Sequence, residues 1–192
     1  NIYAQSGELI MLITKSNIYT SLLDMADSHA VARYDSFVRE HPASTPYHLS
    51  HWGRSVAQSL GHKCCYLIAH RHGGIVGILP LMQVRSRLFG DILVSSSLAM
   101  RGGPLALDTQ SRRVLDHAAW ALAEQYHCPV LEYRAPSPDI EAWQQVSGVY
   151  ANFARSLADN EQDNLKAIPR KQRAEVRRSF DLGLSTQIGT DG

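Results

Sequence analysis

Apolar positions first recur at helical spacing. Ala30, Tyr34, Phe37 and Val38 place one apolar stripe on a helix early in the stretch 24–60, because residues three and four apart share a face. His41-Pro42 interrupts it, since proline disfavours the α conformation of the residue before it. A second helix resumes over 46–60, with Ser50 as its expected cap, Trp52, Val56 and Leu60 on one face, and Gly61 as its terminator. The period then changes. CYLIAHR (65–71) and IVGILPLMQV (75–84) are dense in apolar and β-branched residues, and His72-Gly73-Gly74 between them supplies the positive φ of a tight hairpin. A third apolar run, 92–100, leads into RGGPLA. A helix over 111–126 follows, turning Val114, Ala118, Ala121 and Leu122 inward, and PVLEYR (129–134) reads as one more buried strand. Hairpin, strand, glycine loop, helix and strand predict an α/β fold, a mixed and mostly antiparallel sheet flanked by helices.

Beyond Pro136-Ser137-Pro138 the pattern weakens to a short helix and an edge strand near 150–157. The polar ADNEQDN then leads into a basic helix with Pro169 in its first turn and Gly183 at its end, and 186–192 is strand-like. Three parts are expected: a non-native or disordered leader over 1–11, because the first methionine is Met11; one domain over 12–158; and, over 159–192, the basic helix with the start of another domain.

Composition narrows the class. The chain has 192 residues, 44% hydrophobic and 19% charged, which excludes disordered and fibrous architectures. No apolar run nears the roughly 18 residues a membrane span needs, and the start lacks the charged opening of a signal peptide. Three cysteines, two of them adjacent, form no disulfide framework, so a reducing cytoplasmic compartment is expected. Nine histidines lack the spacing of a zinc site, and no metal is expected. The net charge of +1 conceals a cluster over 166–178, six basic residues against the single acid Glu175. Such a cluster suits an anionic partner or a solvated helix face, not a DNA-coating protein.

Two segments are candidates for binding chemistry. Arg101-Gly102-Gly103-Pro104 lies between a strand and a helix, where glycine lets backbone N–H groups approach an anion and the helix start adds partial positive charge. Pro104 removes one donor, and a plain chain reversal is the competing reading. On one continuous helix, Lys166, Arg170, Arg173 and Arg177 would fall at i, i+4, i+7 and i+11, a row of cations suited to phosphates, with Val176 and Phe180 on another face to dock it on a sheet. Glu132 and Asp91 are considered as bases, but Glu132 beside Arg134 reads as a paired sheet residue. Cys64 and Cys65 read as small core residues. No nucleophile elbow occurs, and no catalytic residue is assigned.

The strand 92–100, the loop 101–106 and the helix 111–126 resemble the core of the GNAT acyltransferase fold. YHLSHW (47–52), Gly61-His62, YLIAHRHGGIVGILPL (66–81), VRSRLFGDILVSS (84–96), GGP (102–104) and KAIPRKQRAEVRR (166–178), in this order, resemble the FemAB-like branch, and within it proteins associated with exosortase and PEP-CTERM exopolysaccharide systems. The likeness spans about 24–188. It implies two GNAT-like domains in tandem, of which this chain holds the first and the opening of the second. It also implies a cytoplasmic enzyme, free or at the inner face of the membrane, that moves an acyl or aminoacyl group from acyl-CoA or aminoacyl-tRNA onto an amine of an envelope or polysaccharide precursor, with no tightly bound cofactor. His48, Trp52, Arg54, Arg101, Gly102 and Gly103 then become substrate-side candidates, with Trp52 also readable as a core anchor, and Lys166, Arg170, Arg173 and Arg177 the anion-binding set. The strands at 92–100 and 129–134 are expected to be neighbours in one sheet. Two other readings stay open: a stand-alone N-acetyltransferase using acetyl-CoA, and a non-catalytic module that binds tRNA or another polyanion.

Overall fold

Pro80 sits in the middle of the run 75–84. Proline offers no N–H to a ladder, so a strand rarely passes through it unbroken. The computed structural model describes residues 3–6, 9–12, 17–86, 88, 90–135, 143, 144, 146, 151 and 153–185. Within it this run is two strands that join different sheets. Contacts divide the chain into two units, residues 1–145 and 146–192, where the sequence suggests a boundary at 158/159.

The first unit begins with β1 (Tyr3–Ser6) and β2 (Leu9–Leu12), an antiparallel pair in the stretch read as a leader, followed by β3 (Ile18–Leu22). Next come α1 (Ser28–Glu40), a 3-10 turn at Pro46–His48, and α2 (Ser50–Leu60). Then follow β4 (Lys63–Cys64), β5 (Leu67–Arg71), β6 (Gly74–Leu79), β7 (Leu81–Val84), β8 (Ile92–Ser95), β9 (Leu105–Ala106), α3 (Thr109–Gln125) and β10 (Val130–Glu132). One sheet runs β3-β5-β6-β9, antiparallel throughout. The other runs β10-β8-β7-β4, antiparallel except for the parallel β8–β10 pair. This is the expected α/β class, and the strands before and after the bend are indeed neighbours.

Both arms of the central hairpin break at one level. The Cys65 N–H donates to Leu81 O at 2.8 Å, on the β7 side, while Tyr66 O accepts from the Leu23 N–H at 2.7 Å, on the β3 side. The turn itself forms as its residues predict, with His72 at φ 51° and Gly73 at φ 80°. The run 92–100, however, is a strand only to Ser95. β9 occupies the edge of β6, pairing Ala106 with Gly77 and Leu105 with Ile78, so residues 96–100 have no ladder to join. They turn instead, through Ser96 at φ 42° and Leu98 at φ 62°.

Helices cover both faces. On one, Val114, Leu115, Ala118, Ala119 and Leu122 of α3 pack with Leu67, Leu79, Leu81 and Leu93. Ala121 is half-buried rather than inward. On the other, Tyr34 and Val38 of α1 pack with Tyr66, Ile68, Ile78 and Leu105.

The start of α2 differs from expectation. Ser50 is its first residue, not its cap, and Leu49 in the cap position offers no side-chain bond. The buried carboxylate of Asp35, reaching across from α1, accepts the Ser50 N–H at 2.9 Å and the Ser50 hydroxyl at 2.8 Å. The packed face of α2 is Ser50, Gly53 and Val56, and Leu60 is 48% exposed.

In the second unit, the basic segment is broken where it is expected to be continuous. α4 (Glu161–Lys166) ends before Pro169, and α5 (Arg170–Asp181) starts after it. Neither helix contains a buried residue, and Phe180 is exposed rather than docked. Residues 153–158 form no strand. The short helix expected within 139–158 and the strand expected at 186–192 fall largely or wholly outside the described residues.

A Cβ at Gly53 would run into the Tyr66 phenol ring and its hydroxyl, which pack directly against the α2 backbone. Gly53→Ala is therefore expected to lower stability by roughly 1–3 kcal/mol, as overpacking does, read from the urea unfolding midpoint. An unchanged midpoint would mean that Tyr66 moves aside without cost.

Candidate functional site

The segment around the diglycine bend gathers substrate-side candidates from distant parts of the sequence. His48 closes the 3-10 turn and is 3% exposed. Its Nε2 faces Gly103 O at 3.0 Å and its Nδ1 accepts the Thr45 N–H at 3.0 Å, so these partners assign the proton to Nε2. Burial holds its pKa below the ordinary value of 6.5. The Thr45 hydroxyl donates to Arg101 O at 3.2 Å, and the Trp52 indole N–H donates to Ser97 O at 3.0 Å. Tyr47 meets the Trp52 ring edge-on at 4.8 Å. The turn and α2 thus grip residues 97–103 by their carbonyls.

The glycines serve close approach. A Cβ on Gly102 would collide with Ser96, and one on Gly103 with Ala135. The Gly102 N–H donates to Arg134 O at 2.7 Å, and the Arg134 N–H donates to Ser95 Oγ at 2.8 Å, which stitches the end of β8 to the chain beyond β10. The Gly102 N–H therefore points inward to a protein acceptor. Arg101 is exposed.

The start of α3 is likewise occupied. β9 separates it from the bend, and Asp108 caps it, accepting from Ser111 N at 2.7 Å and Ser111 Oγ at 2.9 Å. Arg71 pairs with the same carboxylate at 2.8 Å. The Arg71 guanidinium, then the Ser111 N–H, hold Asp108 down to about 2. A fixed negative charge thus sits where an anion-binding helix start would need none.

Arg54 lies elsewhere, in a cleft of about 380 Å³ between α1 and α2. Its Nη2 donates to Met25 O at 2.8 Å. Arg39 of α1 and His51 of α2 line the same cleft. His51 Nδ1 is 3.6 Å from Asp35 Oδ2, and its side chain is 78% exposed. No sequence motif singles out His51. Asp35 and His51 lie on different helices, and no local pattern joins them.

Of the four cations on the basic segment, Arg170, Arg173 and Arg177 share α5 at i, i+3 and i+7, while Lys166 ends α4. Arg173 Nη1 donates to Lys166 O at 2.8 Å, and Lys166 Nζ pairs with Asp163 at 3.3 Å. The break at Pro169 turns a row of four into three cations on α5 and one on α4.

Elsewhere, Glu132 pairs with Arg134 at 2.9 Å and Asp91 with Arg85 at 3.4 Å. Burial raises the Cys64 thiol, and that of Cys65 to about 11. Among the described residues no group of three or more His, Cys, Asp or Glu side chains is placed to hold a metal, and no helix is long and apolar enough to cross a membrane.

No family model matches the chain, and no curated protein matches it. Among solved structures it is similar to a GNAT family acetyltransferase from Staphylococcus aureus subsp. aureus USA300_TCH1516, with 9% identity and a TM-score of 0.44, over 73% of this chain and 99% of that one. It is also similar to a ribosomal-protein-alanine N-acetyltransferase from Brucella melitensis biovar Abortus 2308, with 15% identity and a TM-score of 0.45, over 71% and 99%. Likenesses of this strength assign neither family nor substrate.

The His48 clamp has a pH signature. Because its folded value lies below 6.5, the unfolded chain takes up a proton that the folded chain refuses as pH falls below about 6.5, so stability drops there and is fully retained above. His70, also lowered by burial, adds to the same slope. In His48→Gln the amide can still donate to Gly103 O, and the fall in melting temperature between about pH 7.5 and 5.5 is expected to be shallower than in the parent. Equal slopes would show that His48 titrates as it does in the unfolded chain.

Proposed function

We propose that this chain carries the first module, and the opening of the second, of a GNAT-like acyl or aminoacyl transferase of FemAB type. Its acceptor is an amine of a cell-envelope or exopolysaccharide precursor, and it works in the cytoplasm or at the inner face of the membrane. The observation that supports this reading best is the sealed bend. Strand, bend, helix and returning parallel strand follow the order of an acyltransferase core, yet the Gly102 N–H and the start of α3 are committed to internal acceptors. An anionic donor, acyl-CoA or aminoacyl-tRNA, then needs other cations, and Lys166, Arg170, Arg173 and Arg177 are the candidates. On the acceptor side, Arg101 is exposed at the bend, where His48 and Trp52 bond the carbonyls of Gly103 and Ser97, and Arg54 is exposed in the separate cleft between α1 and α2, with Gly102 and Gly103 shaping the bend itself.

The transfer needs no covalent enzyme intermediate. The neutral amine attacks the activated carbonyl, the C–N bond forms, the ester or thioester bond breaks, and the amine proton leaves with the departing group or a base. Cations on the donor lower the cost of the negative charge it carries, and held geometry lowers the entropy of the encounter.

Binding assays on the chain separate this reading from a stand-alone N-acetyltransferase. tRNA affinity is expected to fall steeply with salt, and the pair Arg170→Glu with Arg177→Glu to weaken it about ten-fold or more while flattening the salt slope. Arg173 is left intact because it bonds the end of α4. Any saturable binding of acetyl-CoA is expected to be weakened by the same two charge reversals. Saturable acetyl-CoA binding unaffected by the charge reversals would overturn this reading in favour of a stand-alone N-acetyltransferase.

A further inference from the structure

The sequence sets Val176 and Phe180 on a face apart from the arginines, ready to dock on a sheet. On α5 the arrangement differs. Phe180 lies seven residues after Arg173 and three after Arg177, so its ring adjoins the guanidinium row on one side of the helix. That ring is 72% exposed, and no residue of α5 is buried. Arg173 gives one N–H to Lys166 O at 2.8 Å, which fixes its place in the row. Among the described residues no carboxylate pairs with Arg170, Arg173 or Arg177. Like charges three and four residues apart weaken a helix. The row is therefore relieved of its own repulsion when anions lie along it, and the ring beside it gains when something flat and apolar covers it.

We propose that this side of α5 binds an unpaired stretch of RNA, with phosphates against Arg170, Arg173 and Arg177 and one base stacked on Phe180. Guanidinium groups donate two hydrogen bonds at once to a phosphate. Every base has a flat face that an exposed ring can cover. In a single strand that face is open, whereas in a duplex the neighbouring base pairs cover it. A plain polyanion would satisfy the arginines and leave Phe180 in water. A lipid surface fits less well, because Ala174, Val176 and Phe180 are the apolar residues of a 12-residue helix, too few for the apolar face that lies in a bilayer. The inference deepens the donor reading of α5 and rests on it for the place of the RNA in the transfer, while adding a ring that a purely electrostatic clamp does not need.

The probe is a labelled oligouridine of about twelve nucleotides, titrated with the whole chain by fluorescence anisotropy. An RNA duplex of the same length, inorganic polyphosphate, and vesicles of mixed neutral and anionic phospholipid serve as competitors. Phe180 is exposed, so Phe180→Ala and Phe180→Trp should fold as the parent does. Phe180→Ala is expected to weaken oligouridine about five-fold or more while moving polyphosphate and duplex by less than about two-fold. Phe180→Trp is expected to bind oligouridine at least as tightly as the parent. The pair Arg170→Glu with Arg177→Glu is expected to weaken all three polyanions. Oligouridine binding indifferent to Phe180→Ala, an equal loss for polyphosphate, a loss that Phe180→Trp shares, or displacement of the RNA by vesicles in a Phe180-dependent way would each overturn the proposal. Oligouridine and polyphosphate held alike by the arginines alone would sink this inference and leave the electrostatic clamp standing, whereas failure of every polyanion to bind would remove both.

Discussion

The break at Pro80 sets the frame for the rest of the first unit. A strand that cannot donate at one position must either bulge or stop, and here it stops and re-pairs. β6 continues the sheet with β3 and β5, and β7 turns into the sheet with β8 and β10. Cys65 and Tyr66 bend the partner strand at the same height, so neither arm leaves buried peptide groups unmatched across the break. The edge of β6 is then open, and β9 fills it. That in turn ends β8 at Ser95 and sends the chain through the turn and the diglycine bend.

A second layer of constraint locks the bend to the helices. Two close approaches admit no Cβ, at Gly102 and Gly103, and four carbonyls, those of Ser97, Arg101, Gly102 and Gly103, accept bonds from Trp52, Thr45, Ser96 and His48. A neutral hydrogen bond contributes about 1 kcal/mol net, and a buried donor left alone costs more. The loss of one clamp would therefore be felt through the others. Positive φ at Ser96 and Leu98, unusual for residues with a Cβ, persists because these neighbours over-determine the path.

Local chemistry made part of this readable in the sequence. The hairpin followed from His72-Gly73-Gly74, α1 from its apolar spacing and from the proline after it, α3 from its inward stripe, and the neighbouring strands around the bend from order alone. What the sequence hid depends on contacts between distant residues. Ser50 is a plausible cap by type, yet Asp35 on the neighbouring helix caps α2, fifteen residues away. The run 92–100 is strand-like throughout, and only competition from β9 shortens it. The sequence puts Pro169 in the first turn of a basic helix, whereas its fixed φ and missing N–H make it the border of two. The resemblance makes His48 and Trp52 substrate-side candidates, Trp52 also readable as a core anchor, and the structure gives them the internal partners Gly103 O and Ser97 O, which no spacing reveals.

The distribution of charge follows one logic across the described helices. α1 is capped by Asp27, α2 by Asp35 and α3 by Asp108, so each helix start in the first unit already faces a carboxylate. A helix start favours a negative group by about 0.3–1 kcal/mol at an exposed site, and an aspartate satisfies that preference while repelling a second anion. Positive charge toward an anion has then to come from side chains instead. The arginines of α5 begin where no aspartate caps a helix, since its cap position is Pro169 with no side-chain bond. Side-chain guanidinium groups are screened by salt and can be reversed singly, whereas backbone donors cannot.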